Sequence, residues 1–263
     1  MNNAHVRSAL VGALSLAIAA AFFAGVRSTN AASAQQTARR PANVSAGHPT
    51  TWAGKKERLT PDNCVFAFVD HQTGLMNLVD NVPMTEFKNY VVGLGKTAKL
   101  FNVPVVITTS DEAGPNGPKI PELLEMFPDA PRVARPGQIN AWDNADFVAA
   151  IERTGRKKIV VSGITTDVCV AFMTLSALDA GYEVYVVVDA SGTMNEQVQN
   201  AAVTRMAAAG AEITNWFAVS CELLSDWRNK QGPGSAQLFI EHLPHYGEVA
   251  ASHRAAREAS SNR

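Results

Sequence analysis

Six short strand-like runs, several of them apolar almost throughout and each followed by a stretch with helical spacing or by a turn, constrain this chain more than any other feature. Residues 64–70, Cys-Val-Phe-Ala-Phe-Val-Asp, are apolar up to the final aspartate. That is the pattern of a strand covered on both faces, and residues 85–102 then alternate apolar and polar positions with helical spacing. Further strands are predicted at 103–110, 132–135, 158–164, 183–189 and 212–216. Helices are predicted at 146–154, 168–180, 196–209 (ended by Gly210) and 221–228. Strands alternating with helices specify a three-layer α/β/α fold around a mostly parallel, Rossmann-like sheet. In such sheets ligands sit beyond the carboxyl ends of the strands, which is where the chemistry has to be sought.

The 263 residues, 46% hydrophobic and 18% charged, fit one globular domain with appendages. Net charge is −1, with Lys and Arg spread along the sequence and not gathered into a patch, so nucleic acid and acidic membrane surfaces are disfavoured as partners and a small molecule is favoured. Residues 1–34 read separately. Arg7 precedes an Ala-rich apolar stretch over 9–26 and then Ala32-Ser33-Ala34, small residues at the spacing a signal peptidase requires. We expect a signal peptide cleaved after Ala34 and a periplasmic or secreted protein with no membrane attachment after cleavage; an uncleaved anchor is the rival reading. Residues 35–60 read as a flexible lead, 61–230 as the domain, and 231–263 as a C-terminal extension that packs on a neighbour or stays mobile.

The three cysteines, Cys64, Cys169 and Cys221, form no disulfide framework, and no C-x-x-C or Cys/His cluster suggests a metal, so no cofactor is expected. Cys169 stands where a buried strand turns into a helix, with Thr166 or Asp167 as a candidate cap. The positive end of a helix favours thiolate over thiol, and free backbone N–H groups there can hold an oxyanion. A small buried core residue is the alternative reading. Asp70 ends its strand at the same sheet edge and can act as general base for the thiol, or simply cap a loop. Asp189, before Ala-Ser-Gly, is explained by turn formation.

Taken together, Phe-Val-Asp70-His-Gln, Thr-Ser-Asp-Glu-Ala-Gly-Pro-Asn-Gly-Pro118, Phe-Pro-Asp-Ala-Pro131, Ala-Arg135-Pro-Gly-Gln-Ile-Asn-Ala-Trp142-Asp, Gly-Ile-Thr-Thr-Asp-Val-Cys169-Val, Val-Asp-Ala-Ser-Gly192 and Asp-Trp-Arg228 resemble the isochorismatase-like cysteine hydrolases, most closely the YcaC-type subgroup. The resemblance runs over about residues 61–245 and implies a six-stranded parallel sheet between helices. It also implies Cys169 as nucleophile, Asp70 as acid, and Arg135 in the place of the family's usual lysine. An arginine can hold Asp70 but keeps its proton at ordinary pH and cannot shuttle one. Lys119, the tempting substitute, reads from the sequence as a solvated loop lysine. The resemblance further implies a cis peptide at Ile164-Thr165, an oxyanion hole from the Thr165 and Cys169 amides, a pocket touching Gln72, Trp142 and Phe172, and ring-like homo-oligomers. The Asp/His metal set of the family's nicotinamidases has no counterpart here.

The expected activity is therefore hydrolysis of a small molecule, at an amide-type C–N bond, through a covalent intermediate on Cys169. A catalytically weak oligomeric binding or scaffold protein of the same fold is the alternative. A dinucleotide-binding domain is set aside, because Asp70-His-Gln-Thr-Gly supplies no Gly-x-Gly-x-x-Gly turn.

Overall fold

The structure is a computed structural model and describes residues 51, 52 and 56–261. The leader read over residues 1–34, its cleavage point and most of the lead over 35–60 lie outside them. Within the described part of that lead, residues 51–52 and 56–57 are two-residue strands, and Leu59 is buried in the core.

Six parallel strands form the central sheet: β1 (Cys64–Val69), β2 (Val105–Ser110), β3 (Arg132–Arg135), β4 (Lys158–Gly163), β5 (Glu183–Val187) and β6 (Glu212–Thr214). Their order is β3-β2-β1-β4-β5-β6, so the direction of winding reverses between β1 and β4. Alternation along each strand sends successive side chains to opposite faces, and both faces are covered. On one side Phe66, Phe68, Val160 and Val187 pack with Phe87, Val91 and Leu94 of α1 (Met84–Leu100). Trp216 and Val219 of α6 (Trp216–Leu224) complete that layer. On the other side Val65, Ala67, Val69, Ile159 and Val161 meet Phe147 and Ile151 of α3 (Ala145–Arg153), Met173 and Ala177 of α4 (Ala171–Asp179), and Met206 of α5 (Glu196–Ala208).

The two central strands are pressed together where they end. Val69 pairs with Gly163, and a Cβ on Gly163 would stand 2.3 Å from the Val69 carbonyl oxygen. Only glycine lets β4 leave the sheet this close to β1, and that departure brings the residues after each strand, Asp70 and Ile164 onward, to one point.

Several boundaries differ from the sequence reading. The strand expected over 212–216 stops at Thr214, and the helix expected over 221–228 is instead α6. The Asn215 side chain accepts the Ala218 N–H as an N-cap, and Asp189 Oδ1 accepts the Trp216 N–H at 3.0 Å, so the helix starts five residues early. Asp189 thus does more than form a turn. The short helix α2 (Pro121–Met126), with Pro at its start, escaped the periodicity reading. Residues 231–263 contain α7 (Gly232–His242) and α8 (Pro244–Ser261). Far from lying apart as an extension, α7 places Leu238 and the fully buried Phe239 in the same core as α1 and α6. No side chain of α8 is buried.

Candidate active site

Asp70 follows β1 directly, with a positive φ of 56°, and its N–H is held by the Thr108 carbonyl at 3.0 Å. Its carboxylate is fully buried and faces two groups. Arg135, at the end of β3 and also buried, donates from Nη2 to both carboxylate oxygens. The Cys169 thiol donates to the same carboxylate from the other side of the switch point.

Arg135 is rigidly placed. Nε donates to Thr108 Oγ1 at 3.0 Å, and Nη1 donates to the carbonyls of Gln138 and Ile139, the latter at 2.9 Å. Thr108 Oγ1 in turn donates to the Val133 carbonyl at 2.8 Å. A planar guanidinium can satisfy a carboxylate, a hydroxyl and a loop backbone at once, whereas an ammonium could not reach all three.

Cys169 lies in a π-helical turn, Thr166–Val170, that opens α4. The Val170 N–H reaches back five residues to the Thr165 carbonyl at 3.1 Å, and the peptide between Ile164 and Thr165 is cis, as the resemblance implied. The Thr165 backbone N–H is directed at the Cys169 sulfur. The expected Thr166 or Asp167 cap is not formed. Thr165 occupies the cap position without a side-chain bond, Thr166 Oγ1 has no partner, and Asp167 Oδ1 accepts from Thr193 Oγ1 at 2.7 Å.

The electrostatics correct one sequence expectation. Burial pushes the Cys169 thiol well above its ordinary value, the Asp70 charge and hydrogen bond push it further, and Arg135 and the Thr165 amide pull only partly back. Burial and the neighbouring carboxylate therefore favour thiol over thiolate at rest. The start of a helix does not offset the removal of a would-be thiolate from water beside a carboxylate. Burial likewise pushes the Asp70 carboxyl up, against the opposing pull of Arg135, Cys169 and Lys119.

The remaining candidates separate clearly. Lys119 is not a solvated loop lysine: it is 2% exposed, its Nζ has no hydrogen-bond partner, and burial pushes its pKa down to about 7. The loop holding it is folded inward because the Thr73 N–H donates to the Pro118 carbonyl at 2.8 Å and the Ile120 N–H to the His71 carbonyl at 2.9 Å. That pairing leaves no periodicity to read. Gln72 is fully buried, and its amide is committed to backbone: Nε2 donates to the Ser110 and Gly117 carbonyls, and Oε1 accepts the Ser110 N–H. It frames the loop after β2. His71 is buried beside Phe68 and Phe87, and burial lowers its pKa to about 3, so it is neutral. Trp142 and Phe172 are half-buried and pack on the core cluster that also borders Cys169. Trp142 meets Tyr182 edge-on at 5.4 Å, and Phe172 lies under the Arg205 guanidinium at 5.6 Å.

Cys64 is fully buried, its thiol pushed up to about 12 by desolvation, and Cys221 is also raised by burial. Neither has a carboxylate hydrogen-bonded to it as Cys169 has. A groove of about 740 Å³ runs between α1 and α8, and none of the acid, arginine or thiol lines it, so its size is no guide to the chemistry. Among the described residues no cluster of three or more His, Cys, Asp or Glu could hold a metal, and no helix is long and apolar enough to cross a membrane.

A parallel sheet whose switch point joins an acid, a buried arginine and a cysteine in this way is the framework of the cysteine-type isochorismatase-like hydrolases. The chain belongs to the Isochorismatase domain family, whose profile matches residues 64–217. Within it the chain is closely related to YcaC-type hydrolases. It is 50% identical over 196 residues to "Probable hydrolase YcaC" of Escherichia coli, covering 74% of this chain and 94% of that protein. The structure of YcaC from Pseudomonas aeruginosa with hexane-2,5-diol and covalent acrylamide superposes with a TM-score of 0.74 at 52% identity, covering 77% of this chain and 99% of that one. The Escherichia coli YcaC structure, described as an octameric hydrolase of unknown specificity, gives a TM-score of 0.74 at 50% identity, with 76% and 97% covered.

Proposed function

We propose that this protein hydrolyses an amide-type C–N bond of a small molecule through a covalent intermediate on Cys169. The observation that carries the reading is the Asp70 carboxylate, fixed by Arg135 and accepting the Cys169 S–H. Asp70 takes the thiol proton as the sulfur attacks the carbonyl carbon, and the Thr165 and Cys169 amides receive the oxyanion. Asp70 then returns that proton to the departing nitrogen, leaving a thioester. Water, deprotonated by Asp70, attacks the thioester; the carboxylic acid leaves and the thiol is restored. Arg135 holds Asp70 in line throughout and exchanges no proton.

Because the resting sulfur is a thiol, proton transfer and attack belong to one step, and reactivity appears only with an electrophile in place. The covalent acrylamide in the Pseudomonas relative supports a nucleophile in this fold that adds to electrophiles, as a cysteine would. Trp142 and Phe172 are assigned to the substrate pocket. The mature protein is proposed to begin after Ala34, to act outside the cytoplasm, and to assemble as a homo-oligomer like its octameric relative.

The test is a panel of small primary and secondary amides with intact-mass detection. A covalent acyl adduct and turnover in the wild type, both absent in Cys169→Ala, support the reading. Turnover retained by Cys169→Ala would overturn it, and ligand binding with neither adduct nor turnover would favour a binding or scaffold protein.

A further inference from the structure

The mechanism above leaves one charged side chain at the site without a task. Lys119 lies opposite Gln72 in an antiparallel bridge, and the backbone on each side of it is hydrogen-bonded to residues 71–73, the segment that follows Asp70. The ammonium-bearing side chain is thus anchored by main-chain bonds to the segment that follows Asp70, within reach of that carboxylate's charge, inside the protein and with no hydrogen-bond acceptor for Nζ. The charged or titratable groups facing it are Asp70 after β1, Glu112 in the loop after β2, and Arg132 at the start of β3, with His71 neutral beside it and Arg135 beyond Asp70. A buried amine with no partner is one whose charge can be removed near neutral pH, which an arginine cannot offer.

The geometry points to Lys119 as a positioning residue that sets how readily Asp70 accepts the Cys169 proton: as ammonium it holds Asp70 ionised, and as amine it releases Asp70 to become the stronger base. This rests on the proposed role of Cys169 as nucleophile. Lys119 interacts with Asp70, so its positive charge favours the pair in which the proton stays on sulfur. Loss of that charge shifts the shared proton from Sγ to the carboxylate and exposes thiolate. Lys119 being pushed down to about 7 places this change within reach of ordinary buffers.

The experiment is the rate of Cys169 alkylation by iodoacetamide between pH 5.5 and 9, read by peptide mass spectrometry. In that reaction the S–C bond forms as the C–I bond breaks, iodide leaves, and the proton goes to Asp70. In the wild type the rate should rise about tenfold through a step near pH 7, the factor that a one-unit change in proton affinity produces. Lys119→Met should react at the upper level already at pH 6 and show no step. Lys119→Arg should stay at the lower level up to pH 9, and should it not fold, the Met variant decides alone. A step of wild-type size and position in Lys119→Met would overturn the assignment while leaving Cys169 as nucleophile. A wild-type Cys169 that is not alkylated at any pH would overturn both.

Discussion

Replacing Arg135 by Met removes a counter-charge from a carboxylate that water cannot reach. Both side chains of the pair are fully buried, and the guanidinium also satisfies Thr108 Oγ1 and the Gln138 and Ile139 carbonyls. Breaking one partner of a buried ion pair costs about 3–5 kcal/mol, because the other charge stays behind unpaired. For a domain of this size each kcal/mol lowers Tm by about 2–4 °C, so a fall of roughly 6–20 °C is expected at pH 8. The loss should depend on pH. Burial already pushes Asp70 above its ordinary value, and without Arg135 it is pushed further. The folded variant then keeps a proton that the unfolded chain releases above about pH 4, so stability falls as pH rises from there through the folded pKa. Thermal unfolding at pH 5 and pH 8 measures this, and the variant should lie nearer the wild type at pH 5. Combining it with Asp70→Asn removes the stranded charge and should recover much of the loss, while the double variant should turn over no substrate, since an amide cannot accept the thiol proton. A Tm loss below about 3 °C at both pH values, or simple additivity with Asp70→Asn, would refute the buried-pair argument.

Three further outcomes follow from the same structure. Phe239→Ala should destabilise by about 3–5 kcal/mol in chemical denaturation, and a chain ending at Gln231 should fail to fold, because α7 fills the core beside α1 and α6. His71, pushed down to about 3 by burial, binds no proton in the fold between that value and 6.5 while the unfolded chain does, so stability is lost as pH falls through this window. His71→Phe should flatten that acid limb by up to roughly 1.4 kcal/mol per pH unit in unfolding curves collected from pH 6 to 4. Native alkylation at pH 8 should label Cys169 and leave Cys64 untouched until the chain is unfolded, since Cys64 is fully enclosed and its thiol is raised to about 12.

The four inner strands were readable because strands buried on both faces are mostly apolar, whereas the edge strands Arg132–Arg135 and Glu212–Thr214 carry charged ends and are only partly covered. Helix starts were harder. Nothing in the local pattern says that Asp189, distant in sequence, would accept the Trp216 N–H and begin α6 there, nor that Asn215 would cap it. The segment after Gln231 was misjudged because Gly232-Pro233-Gly234 reads as a breaker, yet Pro sits in the first turn of α7, where its missing N–H is harmless. At the site, Asp70, Arg135 and Cys169 each end a strand or open a helix, and their motifs carried them. Lys119 gave no such signal, because its burial comes from backbone pairing with residues 71–73 across a loop.

The protonated resting thiol has a consequence for the setting in which this chain is proposed to work. Oxidation by peroxides and disulfide exchange both proceed through thiolate, so a cysteine activated at rest would be the first group lost in an oxidising compartment. Here burial and the neighbouring Asp70 carboxylate both push the sulfur toward the thiol form. In the proposed mechanism the base that activates Cys169 is therefore the same group that disfavours its thiolate between turnovers. Arg135 makes this arrangement workable, since it fixes Asp70 without offering a proton of its own and leaves the thiol as the donor held in place on that carboxylate.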